Sequence, residues 1–249
     1  MRETSELRLL ALYPDQLNIY ADRGNILFLR RRCEWRGIGF SYAASGRGER
    51  FDPDAHDLFY IGGGQDRDQV LVAADMVETK RDALAEAVTD GAVVLAVCGG
   101  YQLLGHGYQL GEQRIAGLGL ADLETFREPG PRLIGNVTIE VDLGRGPRLL
   151  SGFENHGGRT YLGENAEPLG RVVHGHGNNG QDGYEGTRRL NMFGTYLHGP
   201  LLPKNAWLAD RLIQLALARG TGAEPELEPL DDELEEAAHE SARLAASRR

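Results

Sequence analysis

The stretch AVVLAVC, Ala92–Cys98, followed at once by Gly99 and Gly100, constrains this chain more than any other. Seven residues pass without a charged, amide or hydroxyl side chain. A half-exposed strand alternates apolar with polar residues. An unbroken apolar run suits a strand covered on both faces, which implies a parallel sheet between helix layers. The paired glycines then let the backbone crowd itself at a sharp turn, and the apolar-rich YQLLG (Tyr101–Gly105) begins beyond them. A strand that turns abruptly into a helix presents its last side chain at the top of the sheet. Here that residue is Cys98. On this stretch alone, a nucleophile and a plain buried cysteine are equally good readings.

The first segments carry the same architecture. LRLLALY (Leu7–Tyr13) reads as a strand and GNILFLRRRCEWRG (Gly24–Gly37) as a helix closed by glycine. HDLFYIGGG (His56–Gly64) reads as a strand ending in three glycines, and Asp68–Gly91 as one or two helices. This order predicts an α/β fold of flavodoxin-like type: an open, mostly parallel sheet flanked by helices. Between Ile115 and Arg189 the many Gly, Asn and Pro residues and short pieces such as NVTIEVDL (Asn136–Leu143) predict an antiparallel β patch with long loops. RLNMFGTYLHG (Arg188–Gly199) then gives a further strand. Lys204–Gly220 gives a last helix, with Leu208, Leu212 and Leu215 on one face and Gly220 as its cap.

Residues 1–220 thus form one expected domain. Residues 221–249 hold nine acids against three arginines and read as an acidic, solvated tail, helical in part from Asp231 or disordered. The arginines 30–32 read as a solvated helix face.

Other classes are disfavoured by composition. No apolar run approaches the ~20 residues of a membrane span, and the N-terminus lacks the pattern of a signal peptide. With only Cys33 and Cys98, a reduced, cytoplasmic setting is expected. A net charge of −10 argues against a nucleic-acid partner.

A thiolate at Cys98 would gain from the helix N-terminus behind it, and the Gly99 N–H points where an oxyanion would form. Gly62–Gly64 stand at another strand end, where ligands of open α/β sheets bind, and are placed to supply a second N–H. GGGQDRDQ is not a phosphate loop, because it lacks the Gly-Lys-Ser/Thr ending. Among seven histidines, His56 precedes its strand and His239 lies in the tail. His174 and His176 lack further metal ligands, so no metal site is expected. His198 ends the strand MFGTYLH and is followed by Gly199 and Pro200, which makes it the candidate base.

VCGGYQLLG with a distal YLHGP resembles the class I (triad) glutamine amidotransferases, most closely their cobyric-acid-synthase-like branch. Within that branch GGGQDRDQ (Gly62–Gln69), RLIGN (Arg132–Asn136) and GFENHGGRTYLG (Gly152–Gly163) are similar to the GatD family, glutaminase subunits of lipid II isoglutaminyl synthases. The resemblance covers most of residues 7–220. It implies Cys98 as nucleophile, His198 as base, backbone N–H groups of Gly63 and Gly99 as the oxyanion hole, and Arg132 as a residue that holds L-glutamine. Asn155 and His156 match a stretch near the site. It further implies a heterodimer with a MurT-like Mur-ligase subunit that carries ATP and Mg and amidates the D-glutamate of the lipid II stem peptide. This chain itself would need no cofactor. A cobyrinic-acid-type glutaminase, a cysteine hydrolase of the PfpI and DJ-1 type, and a non-catalytic binding subunit are the rival readings. The second is disfavoured because Gly99, not His, follows the cysteine.

Most class I members place Glu two residues after the histidine to orient its ring. Here that position is Pro200. The pair either works as a dyad or receives a carboxylate from elsewhere, the partner chain included.

Overall fold

The computed structural model describes residues 5–19, 23–219 and 221–247. Its first half runs β1 (Glu6–Leu12), α1 (Arg23–Glu34), β2 (Gly39–Ser45), β3 (Leu58–Ile61), α2 (Asp66–Asp75), α3 (Arg81–Thr89), β4 (Val93–Val97) and a short α4 (Gly99–Leu104). Eight strands follow: β5 (Gly107–Leu110), β6 (Gln113–Ala116), β7 (Leu123–Phe126), β8 (Leu133–Asp142), β9 (Pro147–His156), β10 (Arg159–Leu162), β11 (Gly170–His174) and β12 (Tyr184–Glu185). β13 (Thr187–Arg189), β14 (Met192–Thr195), α5 (Ala206–Ala218) and α6 (Glu233–Ser247) complete the described chain.

The central sheet has the order β13-β14-β4-β3-β1-β2. All neighbours are parallel except β13 and β14. β3 and β4 lie inside this sheet and are buried at every residue. That burial on both faces is the physical reason the Ala92–Cys98 run shows no polar alternation. The edge strand β2 carries a weak sequence signal because most of its residues are partly exposed. The antiparallel patch expected in the middle region is two four-stranded sheets, β10-β7-β5-β6 and β12-β11-β8-β9. The β5–β7 pair is parallel and the other pairs are antiparallel.

The strand read through to His198 stops at Thr195, the last residue of β14 to pair with β4, opposite Val97. Residues 196–198 leave the sheet, and His198 forms an isolated antiparallel bridge with Phe153 of β9. α5 buries Leu208, Leu212, Ile213 and Leu215 as its apolar spacing predicts. Gly220, read as its cap, lies outside the described residues.

Two expectations about charge change. Arg32 is not on a solvated face; its side chain is fully buried. Its guanidinium donates to both oxygens of Asp210 on α5, at 2.5 and 2.7 Å. It also donates to both oxygens of Asp232, at 2.6 and 2.9 Å. Two carboxylates are what a buried guanidinium needs to offset its lost hydration. The contact also anchors the acidic tail. Beyond it α6 packs against β8 and β9, and His239 Nδ1 lies 2.9 Å from the Lys204 carbonyl oxygen. Among the described residues no helix is long and apolar enough to cross a membrane.

Candidate active site

Cys98 is the hinge between β4 and α4, with φ +50° and ψ −106°. A non-glycine residue rarely holds a positive φ, and such strain clusters at sites where a side chain must be displayed. The turn is held by its neighbours. Cys98 N–H donates to the Thr195 carbonyl at 2.8 Å, and the Cys98 carbonyl accepts from Gln102 N–H at 3.0 Å. Close packing explains the two glycines. A Cβ on Gly99 would stand 2.9 Å from the Gly64 nitrogen. A Cβ on Gly100 would stand 2.6 Å from the Ile61 carbonyl oxygen and 2.8 Å from that of Gly62. The first turn of α4 thus rests directly on the backbone of the Gly62–Gly64 loop.

A cavity of about 350 Å³ opens over Cys98, within the range of small-ligand pockets. Its wall includes Gly64, Gln69, Gln102, Arg132, Asn155 and His156. Cys98, Arg132, Asn155 and His156 are therefore brought together as the sequence suggests. Of the glycine triplet, Gly64 lines the cavity and faces Gly99, whereas Gly63 is tied to the loop before it through the Ile19 N–H at 3.0 Å. Arg132 donates from Nε to Asn155 Oδ1 at 2.8 Å and from Nη2 to the Asn155 carbonyl at 2.6 Å.

His198 is fully buried and does not line this cavity. It follows β14, the direct parallel neighbour of β4, so it leaves the sheet at the same end as Cys98. Its position is fixed by reciprocal backbone bonds to Phe153, 2.8 and 3.2 Å. Pro200, in the usual glutamate slot, packs against Gly24 at the start of α1, where its Cγ leaves no room for a Cβ. The turn after His198 is held again by Asn25 Oδ1, which accepts from Leu202 N–H at 2.8 Å.

A buried carboxyl holds the segment that carries this base. Glu185 is fully buried and accepts from Tyr196 N–H at 2.6 Å and from Thr195 Oγ1 at 3.1 Å. Burial pushes its pKa up to about 8, against the pull of those two hydrogen bonds and of the His198 charge. Glu185 therefore braces the backbone that carries His198.

A chain of buried polar groups runs inward from the cavity. Gln69 Nε2 donates to Gln102 Oε1 at 2.9 Å, and Gln102 Nε2 donates to the Tyr196 hydroxyl at 3.0 Å. Tyr196 and Thr160 share a hydrogen bond of 2.6 Å. The His156 ring stacks on Tyr196 at 3.6 Å with planes 4° apart, and its Nδ1 lies 2.8 Å from the Gly158 carbonyl oxygen. Burial lowers its pKa, against the opposing pull of Glu154. Glu185 had no local signal, since it reaches the site through tertiary packing; Gln69 and His156 lay in the motifs GGGQDRDQ and GFENHGGRTYLG, but their hydrogen-bond and stacking partners were not readable there.

The remaining candidates separate cleanly. His106 pairs with Asp122 and His176 with Glu154. Cys33 is buried, and burial pushes its thiol up to about 12. Among the described residues no group of three or more His, Cys, Asp or Glu side chains is placed to hold a metal ion.

Residues 8–206 match the model of the CobB/CobQ-like glutamine amidotransferase domain. The chain is 41% identical to the Staphylococcus aureus lipid II isoglutaminyl synthase (glutamine-hydrolysing) subunit GatD, over 92% of both chains. It is 38% identical to the GatD subunit of Streptococcus pneumoniae, over 91% of this chain and 86% of that one. A cobyric acid synthase of Limosilactobacillus reuteri is 32% identical over 66% of this chain but only 33% of its own length. The fold is shared with a glutamine amidotransferase of Thermotoga maritima, TM-score 0.53 at 17% identity, covering 97% of this chain and 94% of that one.

Proposed function

The chain belongs to the CobB/CobQ-like glutamine amidotransferase family, and from that premise we propose that it is the glutaminase subunit of a lipid II isoglutaminyl synthase, acting in the cytoplasm. The observation that carries this reading is Cys98. It is a cysteine held at φ +50° on a strand-to-helix turn, beneath a cavity whose wall includes Arg132 and Gly64. A merely structural cysteine gains nothing from that strain.

In the reaction we propose, the Cys98 thiolate attacks the side-chain carboxamide carbon of L-glutamine. The carbonyl electrons move onto oxygen, and the N–H groups of Gly99 and Gly64 stabilise that charge. Gly64 takes the place first assigned to Gly63, because it is the glycine on the cavity wall. His198 gives its proton to the departing nitrogen, the C–N bond breaks, and ammonia leaves a glutamyl thioester on Cys98. Water then adds to the thioester, His198 takes one of its protons, and the C–S bond breaks. Glutamate and the thiolate are restored. Glu185 holds the Thr195–His198 segment during both steps.

The ammonia has to reach an acceptor before it is protonated and lost, so a bound partner is required. By relationship to the two GatD subunits, that partner is a MurT-like Mur-ligase subunit that binds ATP and Mg. It activates the α-carboxylate of D-glutamate in lipid II, and the product is D-isoglutamine.

The deciding measurement is ammonia release from L-glutamine by the wild type and by Cys98→Ala, in the complex with the ligase. Hydrolysis by the wild type and none by the variant is the expected result, with free ammonium restoring amidation in the variant complex. Equal rates would remove the nucleophile assignment. Failure to co-purify with a Mur-ligase-like protein would remove the lipid II reading.

A further inference from the structure

Two arginines bracket one stiff turn at the rim of the cavity. Arg127 follows β7 and Arg132 precedes β8, with Glu128-Pro129-Gly130-Pro131 between them. The prolines restrict the backbone, and the turn is tied down on both sides. Glu128 Oε1 accepts from the Tyr161 hydroxyl at 2.6 Å, and the Pro131 carbonyl accepts from the guanidinium of Arg159 at 2.7 Å.

Arg132 lines the cavity, and both guanidiniums oppose the upward push that burial gives the Tyr108 phenol. The Tyr108 hydroxyl in turn donates to Asp66 of the cavity wall at 3.3 Å. Arg127 also lies on Gly157, another wall residue, where a Cβ would fall on its Nη1.

The two side chains differ in what they already hold. Arg132 spends Nε and Nη2 on Asn155. The Arg127 guanidinium makes no hydrogen bond or ion pair among the described residues, although it is half-buried. A guanidinium offers five N–H donors in a planar fork that matches a carboxylate.

We propose that Arg127, together with the remaining Nη1 edge of Arg132, clamps the α-carboxylate of glutamine and so selects the free amino acid over α-blocked amides. This assignment rests on the glutaminase reading above. It makes Arg127 a specificity-determining residue and shares between two arginines the role expected of Arg132 alone.

The test is steady-state hydrolysis of L-glutamine and of L-glutamine α-amide by the assembled complex, with wild type, Arg127→Met and Arg127→Lys. Arg127→Met should raise KM for L-glutamine about tenfold or more while kcat changes less than about threefold. The wild-type preference for L-glutamine over the α-amide should shrink by a similar factor, and Arg127→Lys should fall between. KM and preference within about twofold of wild type in Arg127→Met would overturn the assignment. An equal loss on both substrates would overturn it in favour of a structural role. Unchanged kinetics with a dissociated complex would assign Arg127 to partner docking instead. If the wild-type complex hydrolyses no glutamine, the glutaminase reading fails and the clamp fails with it.

Discussion

The backbone N–H of Cys98 donates to the carbonyl of Thr195 at 2.8 Å. This bond joins the strained turn at the end of β4 to the segment that leaves β14 and carries His198. The same threonine donates from its hydroxyl to Glu185 and accepts the Leu197 N–H at 3.0 Å. The proposed nucleophile and base are therefore registered to one another by a shared residue of the sheet.

Strain at Cys98 has a measurable consequence. Ala and Gly both remove the thiol, but only Gly adopts φ +50° without a steric cost. Cys98→Gly should be more stable than Cys98→Ala by about 1 kcal/mol, and both should lack glutaminase activity. Chemical denaturation of the two variants checks this; a less stable glycine variant would contradict the strain.

Gly100→Ala should disrupt the site by a different route. Its Cβ would press on two carbonyl oxygens of the Ile61–Gly62 backbone, which cannot swing aside as a flexible side chain can. A loss of about 1–3 kcal/mol, accompanied by reduced glutamine hydrolysis, is the expected outcome. Thermal unfolding and ammonia release at one temperature measure both.

Glu185 makes stability depend on pH. Its carboxyl is pushed up to about 8 from an ordinary value of 4.5, chiefly by burial. The folded state therefore keeps a proton that the unfolded chain has lost. The contribution is fully present below pH ~4.5 and is lost as pH rises through ~8. Denaturation of wild type and Glu185→Gln across pH 5–8 should show a decline in the wild type that the variant lacks. Parallel curves would refute it.

The buried guanidinium of Arg32 holds Asp210 and Asp232 together. Arg32→Met leaves Asp210 with Arg36 alone and removes the guanidinium partner of Asp232, so it should cost about 1.5–3 kcal/mol. Asp232→Asn should cost less and chiefly loosen α6. Limited proteolysis should then release the C-terminal segment faster than in the wild type, whereas an unchanged digestion rate would mean that α6 is held elsewhere.

The legible parts of this molecule are those where local sequence and burial carry the same information. Ala92–Cys98 is apolar throughout because β4 is buried on both faces, so the strand, the parallel sheet and the cysteine at its end were readable together. His198 was readable as a histidine before Gly-Pro, although the strand itself stops three residues earlier, at Thr195. The glycine triplet was readable as a loop. Which glycine lines the cavity beside Gly99 was not, since that depends on how α4 settles onto the loop. Arg32 was misjudged because three successive arginines look alike, and only helix phase and the position of α5 bury the third.

By itself the sequence determined the α/β class, the strand-to-helix turn at Cys98 and the family, because each is written in short-range pattern: apolar runs, paired glycines and ordered motifs. The tertiary structure alone decided the rest. It placed Gly64 rather than Gly63 on the cavity wall, put Glu185 against the His198 segment, set Gln69 in hydrogen-bond contact with Gln102, and laid Arg127 against Gly157. Each of these is a meeting of side chains distant in sequence or borne on separate loops, and no periodicity encodes which loops will meet.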